Sequence, residues 1–290
     1  MNDVILLMEQ LPAFLYVFVT FMGLLIGSFL NVVIYRLPVM MERGWRQECA
    51  ESFPEAKIKI DNSRFDLILP RSRCPQCNHL IGSTENIPVL SWLWQKGLCK
   101  HCDCKISRRY PAIELLTATL SFIVAYVIPF DWTLLYALIF TWALIALAFI
   151  DFDTMLLPDQ ITLPLLWLGL LVNLSGTFTG LSDAVLGAIV GYLSLWSIYW
   201  GFKLLTGKEG MGYGDFKLLA ALGAWFGWQG LPLIIILSSF AGAIIGIAVI
   251  VLSKDKQSRP MPFGPYLAIA GFVFLAYGSQ LTDLYYSLAL

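Results

Sequence analysis

Eight apolar stretches dominate the sequence, and they restrict the chain to folds that a lipid bilayer can accommodate. A helix needs about 20 apolar residues to cross the hydrocarbon core, and most of these stretches approach that length. The stretches cover residues 11–35, 112–130, 133–150, 161–174, 184–202, 218–228, 231–252 and 263–278. Charged residues make up 13% of the 290 residues, compared with about 25% in soluble domains. The sequence therefore predicts an all-α polytopic membrane protein with about eight transmembrane helices, of which the fourth and sixth are short.

The basic residues predict how these helices are oriented. All 19 lysines and arginines lie within residues 36–111, 203–217 and 253–262, which fall on one side of the membrane in an eight-helix arrangement. Lysine and arginine are enriched in cytoplasmic loops, so we expect a periplasmic N-terminus and a cytoplasmic loop between the first two helices. Asp3 and Glu9 stand where a cleavable signal has basic residues, so the first helix is expected to be retained.

Two Cys-x-x-Cys pairs lie in that large hydrophilic loop. The pairs, with 21 residues between them, are Cys74 with Cys77 and Cys99 with Cys102. Paired thiolates on two tight turns are typical of a tetrahedral zinc site, whereas disulfides are disfavoured because cytoplasmic thiols stay reduced. Alternative ligands are His79, His101 and Cys104. We expect one structural zinc, without an open coordination position, that folds a loop lacking a core of its own.

Two aspartates at the ends of apolar stretches are candidate catalytic groups. Asp215 lies in the turn Gly-Tyr-Gly-Asp-Phe-Lys at 212–217, and Asp151 directly follows the third stretch. Both are expected at the cytoplasmic edge of the bilayer, where ionisation of a carboxylate is costly. Asp159 follows a proline and is expected to cap the next helix, whereas Asp153 is expected in solvent.

Two neighbouring carboxylates can share one proton, so that one acts as a base and the other as an acid. The base would take a proton from water as the water attacks a peptide carbonyl, and the acid would protonate the carbonyl oxygen. A nucleophile activated by histidine is disfavoured, because both histidines of the chain lie in the cysteine region. The sequence also contains no His-Glu-x-x-His zinc-protease motif. The hypothesis is therefore a membrane-embedded aspartyl protease built on Asp151 and Asp215.

Three residues near the ends of the large loop have expected structural roles. Asn31, inside the first apolar stretch, is expected to make an interhelical hydrogen bond, and Pro38 is expected to end that helix. Glu114 lies about one turn inside the second stretch, where an unpaired charge is costly. It could form an ion pair with Arg108 or Arg109, or contact a basic substrate segment or a cofactor, and the sequence leaves both open.

The ordered set of motifs resembles the type IV prepilin peptidases, a family of GxGD-type intramembrane aspartyl proteases. The resemblance covers nearly the whole chain. It rests on the two cysteine pairs and on the segments 27–38 (Gly-Ser-Phe-Leu-Asn-Val-Val-Ile-Tyr-Arg-Leu-Pro), 107–111 (Ser-Arg-Arg-Tyr-Pro), 151–159, 212–217 and 262–265 (Pro-Phe-Gly-Pro). The resemblance implies that Asp151 and Asp215 are the catalytic pair and that cleavage follows a glycine ending a short basic leader. It also implies N-methylation of the new N-terminal residue with S-adenosylmethionine.

The implied methyltransferase activity has no visible cofactor motif, because Gly-x-Gly-x-x-Gly does not occur. Candidate cofactor-binding residues are Gly27, Asn31, Arg36, Gly97 and Glu114. The expected domains are a first transmembrane helix (1–38), a cytoplasmic zinc-binding and methyltransferase loop (39–111) and a transmembrane aspartyl peptidase core (112–290). The resemblance implies prepilin and pseudopilin substrates, membrane lipid and no nucleic acid as partners. It also implies a location in the bacterial inner membrane and a role in pilus biogenesis and type II secretion.

Two other functional classes are compatible with parts of this pattern. A transporter could use paired carboxylates as a proton relay, although no internal repeat supports it. A structural subunit of a secretion complex could keep the fold without activity, although the two aspartates favour an enzyme. The sequence predicts neither the oligomeric state nor the fold of residues 41–72.

Overall fold

The structure is a computed structural model, and it describes residues 11–61, 63–252 and 261–289. Residues used in the orientation argument that lie outside the described part are Asp3, Glu9, Lys254, Lys256 and Arg259. Within the described part, no β-strand is found and the extended pairing is limited to two isolated antiparallel bridges. The all-α fold class is therefore confirmed.

The described residues contain eight apolar helices and one short helix in the loop. The helices are α1 (Pro12–Ser52), α2 (Leu90–Trp94), α3 (Arg109–Val127), α4 (Trp132–Thr154), α5 (Asp159–Val172), α6 (Leu181–Thr206), α7 (Tyr213–Phe226), α8 (Leu231–Leu252) and α9 (Gly264–Ala289). Apart from α2, each helix contains most of one of the eight apolar stretches, and α1 and α9 continue well beyond theirs. Six of them, α1, α3, α4, α6, α8 and α9, are long and apolar enough to cross a membrane. α5 and α7 have 14 residues each. That length gives about 21 Å against a hydrocarbon core of about 30 Å, so the count of eight spans is approximate.

Helix α1 does not end where the sequence predicted. It has 41 residues and continues through the buried Pro38 to Ser52, so the expectation that Pro38 terminates it is wrong. Proline removes one backbone donor, and it can kink a helix without ending it. The residues after Pro38 stay helical, and Arg46 forms an ion pair with Glu42 one turn earlier, at 2.6 Å.

The chain folds into two compact units, Met1–Phe130 and Asp131–Leu290. In the first, α1 and α3 pack through small residues. A β-carbon added to Gly23 would lie 2.8 Å from the Ala118 Cα, and one added to Gly27 would lie 2.7 Å from the Glu114 Cα. Such close approach of two backbones is typical of glycines four residues apart in membrane helices. The division into three domains stays a prediction.

In the second unit, α7 is the central element. Its side chains Phe216, Leu219 and Trp225 are fully buried. It crosses α6 with the two backbones in contact, because Gly187 of α6 lies directly against Gly223 of α7. The helix that carries Asp215 is thus enclosed by other parts of the second unit, so its 14 residues have little exposure to lipid.

Candidate functional site

Asp151 lies in the last turn of α4 and is 5% exposed. Its Oδ2 accepts a hydrogen bond from the backbone N–H of Gly264, at 2.9 Å. Gly264 is the first residue of α9, so the N-terminal end of that helix, which favours negative charge, faces the carboxylate. A β-carbon on Gly264 would lie 2.6 Å from the same oxygen, which explains the glycine of the Pro-Phe-Gly-Pro segment.

Asp215 is the third residue of α7 and is 7% exposed. Gly212 caps the helix, so the carboxylate lies in the first turn, near the unpaired N–H groups of the helix start. The second unit therefore contains two buried carboxylates, one in the last turn of α4 and one in the first turn of α7.

The Leu157 side chain contacts both glycine-containing segments of this site. A β-carbon on Gly214 would lie 2.7 Å from the Leu157 Cβ, and one on Gly264 would lie 3.1 Å from the Leu157 Cδ2. Gly214 precedes Asp215, and Gly264 binds Asp151. One leucine side chain thus packs between the segments that hold the two aspartates. No sequence pattern indicates this role, because leucine is common in apolar segments.

Asp159 is not the cap of α5. Pro158 is the N-cap and Asp159 is the first helical residue, so that expectation is wrong. The Asp159 carboxylate instead binds the Lys217 ammonium group, with distances of 2.7 and 2.8 Å to its two oxygens. Asp153 is exposed, as expected.

The cysteines of the loop form a compact cluster. The Sγ atoms of Cys74, Cys99, Cys102 and Cys104 all lie within 4.8 Å of one another. Measured Sγ–Sγ distances in the cluster are 3.4 Å (Cys74–Cys104), 3.7 Å (Cys74–Cys102) and 4.0 Å (Cys77–Cys99). Zinc–sulfur bonds of 2.3 Å in a tetrahedron place the sulfurs about 3.8 Å apart, so the spacing fits a zinc ion. Five cysteines are available for four positions, and the predicted choice of Cys77 over Cys104 stays a prediction.

The first turn of the cluster favours the metal-binding form of one thiol, that of Cys74. The backbone N–H groups of Cys77 and Gln76 lower the pKa of the Cys74 thiol to about 6. Each turn is closed by backbone hydrogen bonds, from Cys74 N–H to His79 O at 2.9 Å and from Cys99 N–H to Cys104 O at 2.8 Å. The thiolate is the form that ligates metal, so Cys74 is prepared for binding at neutral pH.

Two of the candidate cofactor residues make buried contacts at the α1–α3 interface. Asn31 Nδ2 donates to Tyr110 O in α3 at 3.2 Å, which confirms the expected interhelical hydrogen bond. The Glu114 carboxylate accepts from the Val89 N–H at 2.7 Å and from the Ser28 hydroxyl, which neither alternative anticipated. Val89 has φ of +60°, a conformation rare for a β-branched residue. Glu114 therefore helps to hold a strained backbone position at the start of α2.

Two others organise the loop. Arg36 is 8% exposed and donates to the carbonyl oxygens of Asp66, at 2.8 Å, and Pro70, at 2.6 Å. Gly97 has φ of +70°, and a β-carbon there would lie 2.8 Å from the Trp92 Cζ2. Together with Gly27 at the helix contact, all five candidates have structural partners within the first unit. A direct role of these residues in cofactor binding stays a prediction.

Comparison with known proteins agrees with the resemblance seen in the sequence. Residues 138–247 match the type IV leader peptidase family, and residues 21–128 match the bacterial peptidase A24 N-terminal domain. The chain is 58% identical over 282 residues to a prepilin leader peptidase/N-methyltransferase of Aeromonas salmonicida, covering 97% of each chain. A protein of the same name from Stutzerimonas stutzeri is 54% identical, covering 92% of each chain. Another from Pectobacterium carotovorum subsp. carotovorum is 47% identical, covering 93% of this chain and 96% of the relative. No solved structure matches. With this identity over nearly its whole length, the chain belongs to the type IV leader peptidase family.

Proposed function

We propose that this chain is a prepilin leader peptidase and N-methyltransferase of the bacterial inner membrane, and that Asp151 and Asp215 perform the cleavage. The observation that carries the peptidase proposal is the pair of buried carboxylates at the end of α4 and the start of α7, since the Leu157 side chain packs against both Gly214, next to Asp215, and Gly264, which binds Asp151. The names of the relatives supply the substrate class, a prepilin, and the second activity, N-methylation.

The chemistry follows from the two environments. Asp151 already accepts an N–H from Gly264 and so presents acceptor oxygens, which suits the base. It takes a proton from water as the water oxygen bonds to the scissile carbonyl carbon, while Asp215 protonates the carbonyl oxygen. The tetrahedral intermediate then breaks its C–N bond, as protonated Asp151 gives its proton to the leaving amine nitrogen and ionised Asp215 takes a proton back from a hydroxyl of the intermediate. No covalent bond to the enzyme forms.

The test of the peptidase proposal uses purified full-length protein in detergent with a prepilin. Asp151→Asn and Asp215→Asn should each abolish cleavage, while Asp153→Asn, as an aspartate control in the same loop, should retain most of it. Near-normal cleavage by either of the first two variants would refute the two-aspartate mechanism.

For the methyltransferase activity, S-adenosylmethionine supplies the methyl group when bound, and we place its site in a cavity of the first unit. The cavity has a volume of about 600 Å³ and is lined by charged and aromatic residues. Its lining includes Glu42, Arg43, Arg46, Asp61 and Phe65. Ligand pockets are typically about 300–1,000 Å³, so the size is suitable. Arginines suit the carboxylate of this zwitterionic cofactor, carboxylates suit its ammonium and sulfonium groups, and an aromatic face suits adenine.

Binding of labelled S-adenosylmethionine at equilibrium tests this site without depending on activity. Arg46→Gln and Phe65→Leu should weaken binding about tenfold or more, whereas Arg71→Gln, a basic control in the same loop, should not. Equal affinity in all three variants would place the cofactor elsewhere.

For the metal, we propose one structural zinc held by four thiolates of the cysteine cluster. A site closed by four thiolates has no position for an activated water, so it serves folding. Cys77→Ser and Cys104→Ser distinguish the two ligand sets. Substitution of the cysteine that binds zinc should lower zinc affinity, and substitution of the one that does not bind should leave it unchanged. Cys74→Ser removes a ligand from either set and should lower zinc affinity, so unchanged zinc binding by that variant would contradict a four-cysteine site.

For topology, we propose a periplasmic N-terminus and a cytoplasmic loop at 39–111, since all described basic residues lie on one side in the predicted arrangement. A cysteine introduced at Glu51 should resist an impermeant thiol reagent added to intact cells, in a background lacking Cys49. Labelling from outside would reverse the orientation.

A further inference from the structure

Both histidines of the chain lie against each other in the loop. The ring centroids of His79 and His101 are 3.5 Å apart, with planes tilted by 31°. His79 follows the first cysteine turn and His101 lies inside the second. The two turns that bring the cysteines together therefore also bring the two histidines together, with separate ligand atoms.

A carboxylate faces both rings. Glu85 Oε2 lies 3.4 Å from His79 Nε2, and Glu85 Oε1 lies 3.8 Å from His101 Nε2. The carboxylate is held in place because the Gly82 N–H donates to its Oε2 at 2.9 Å. That hydrogen bond is also the largest cause of the lowered pKa of Glu85. Each carboxylate oxygen thus faces one imidazole nitrogen.

These separations suit a metal better than hydrogen bonds. An N–H to oxygen hydrogen bond has a length of roughly 2.7–3.2 Å, so both contacts are too long for good hydrogen bonds. Nitrogen and oxygen ligands at about 2.0–2.1 Å from a tetrahedral zinc ion lie about 3.4 Å from each other. The three ligand atoms all lie within 4.8 Å of one another.

We propose that His79, His101 and Glu85 form a second divalent-metal site, separate from the cysteine cluster and open to solvent. Two histidines and one carboxylate are the ligand set of open zinc or non-haem iron(II) sites, which keep a position for water. The side chains of His79 and His101 are 35% and 46% exposed, so a metal ion can reach them from solution.

Metal loading requires a local rearrangement. Stacked rings do not direct both lone pairs to one point, so the imidazoles must turn about their Cβ–Cγ bonds when the ion enters. Both rings are solvent-facing, and rotation of this kind is fast and inexpensive for exposed side chains. The ligand atoms already lie within 4.8 Å of one another, so rotation of the two rings is enough to bring them onto one ion.

The test is a cobalt(II) and zinc titration of full-length protein in detergent after removal of bound metal. Zinc should bind at about two equivalents per chain, and at about one in His79→Gln, His101→Gln or Glu85→Gln. Cobalt bound to thiolates gives a sulfur-to-metal charge-transfer band, which reports the cysteine cluster alone and should be unchanged in these variants. Lys100→Gln and Glu55→Gln, a neighbouring cation and a second loop glutamate, should behave like the unaltered protein.

Two results would overturn the proposal. Equal metal stoichiometry in the unaltered protein and the histidine variants would show that the three residues bind no ion. Loss of the thiolate-to-cobalt band in those variants would show that the histidines belong to the cysteine cluster itself. Neither result depends on peptidase or methyltransferase activity, so the proposal is independent of the proposed function.

Discussion

The Lys217 ammonium group binds both carboxylate oxygens of Asp159, at 2.7 and 2.8 Å. The pair joins the first turns of α5 and α7, and Lys217 is two residues from Asp215. The two side chains are 30% and 50% exposed, so the direct contribution to stability is small, about 0.2–1 kcal/mol. The importance of the pair lies in where it holds the start of α7.

We therefore expect Lys217→Met and Asp159→Asn each to lower kcat for prepilin cleavage about three- to tenfold, because Asp215 loses its fixed position. The double variant should be no worse than either single one, since both remove the same contact. Lys208→Gln, an exposed cation in the preceding loop, is the control. Additive losses in the double variant would mean that the two residues act independently.

Packing of Leu157 between the two aspartate segments leads to a second prediction. Leu157→Ala should cost about 2 kcal/mol of packing and lower kcat more than it changes KM. Gly214→Ala alone should also be harmful, because its β-carbon would lie 2.7 Å from the Leu157 Cβ.

The combination of Leu157→Ala with Gly214→Ala should recover part of the lost rate, since the added methyl group occupies the space that the leucine vacates. Leu163→Ala, at an exposed position on α5, controls for loss of apolar surface. Rates that multiply in the double variant, with no recovery, would rule out this contact as the cause.

Gly97 allows the two activities to be separated. Gly97→Ala forces a side chain into a left-handed conformation and against Trp92, at a cost of about 1–3 kcal/mol. We expect less methylation while cleavage is largely retained, and mass spectrometry of the mature pilin reads both. Gly201→Ala, where a β-carbon would meet open space, is the control. Equal losses of both activities would show that the loop and the peptidase cannot be separated in this way.

Asp66 should make the stability of the loop depend on acid. The Leu69 N–H, then the Arg64 side chain and the Ile68 N–H, lower the pKa of Asp66 from 3.8 to about 2. Because the folded value is the lower one, ionised Asp66 stabilises the loop above pH 3.8, and this contribution is lost as the pH falls through about 2.

Asp66→Asn should therefore lower thermal stability at neutral pH and flatten the decline between pH 4 and pH 2, as followed by tryptophan fluorescence. Glu55→Gln, which removes an exposed carboxylate from the same loop, is the control. Parallel profiles for the unaltered protein and Asp66→Asn would contradict this account.

Local patterns in the sequence predicted the helices well, because a long apolar run has few alternatives in a bilayer. They failed at Pro38 and Asp159, because the end of α1 and the partner of Asp159 depend on contacts with residues elsewhere in the chain. The contacts Gly264–Asp151 and Lys217–Asp159 join residues distant in sequence, and no periodicity reports such pairs. The symmetry of the two Cys-x-x-Cys pairs favours Cys77 as a ligand over Cys104, whereas the fold brings the Cys104 sulfur into the same cluster.

The glycine crossing of α6 and α7 has a mechanical consequence for Asp215. The backbones touch at Gly187 with Gly223, and a β-carbon on Gly191 would lie 2.7 Å from the Leu219 carbonyl oxygen. The contact between α6 and α7 therefore extends to Leu219, one helical turn from Asp215, so about 6 Å of α7 lies between this contact and the aspartate. A rotation of that turn by 10° about Leu219 would move the aspartate by only about 1 Å. We therefore expect Asp215 to move little when a peptide enters, and the opening to come from the segments around Asp151.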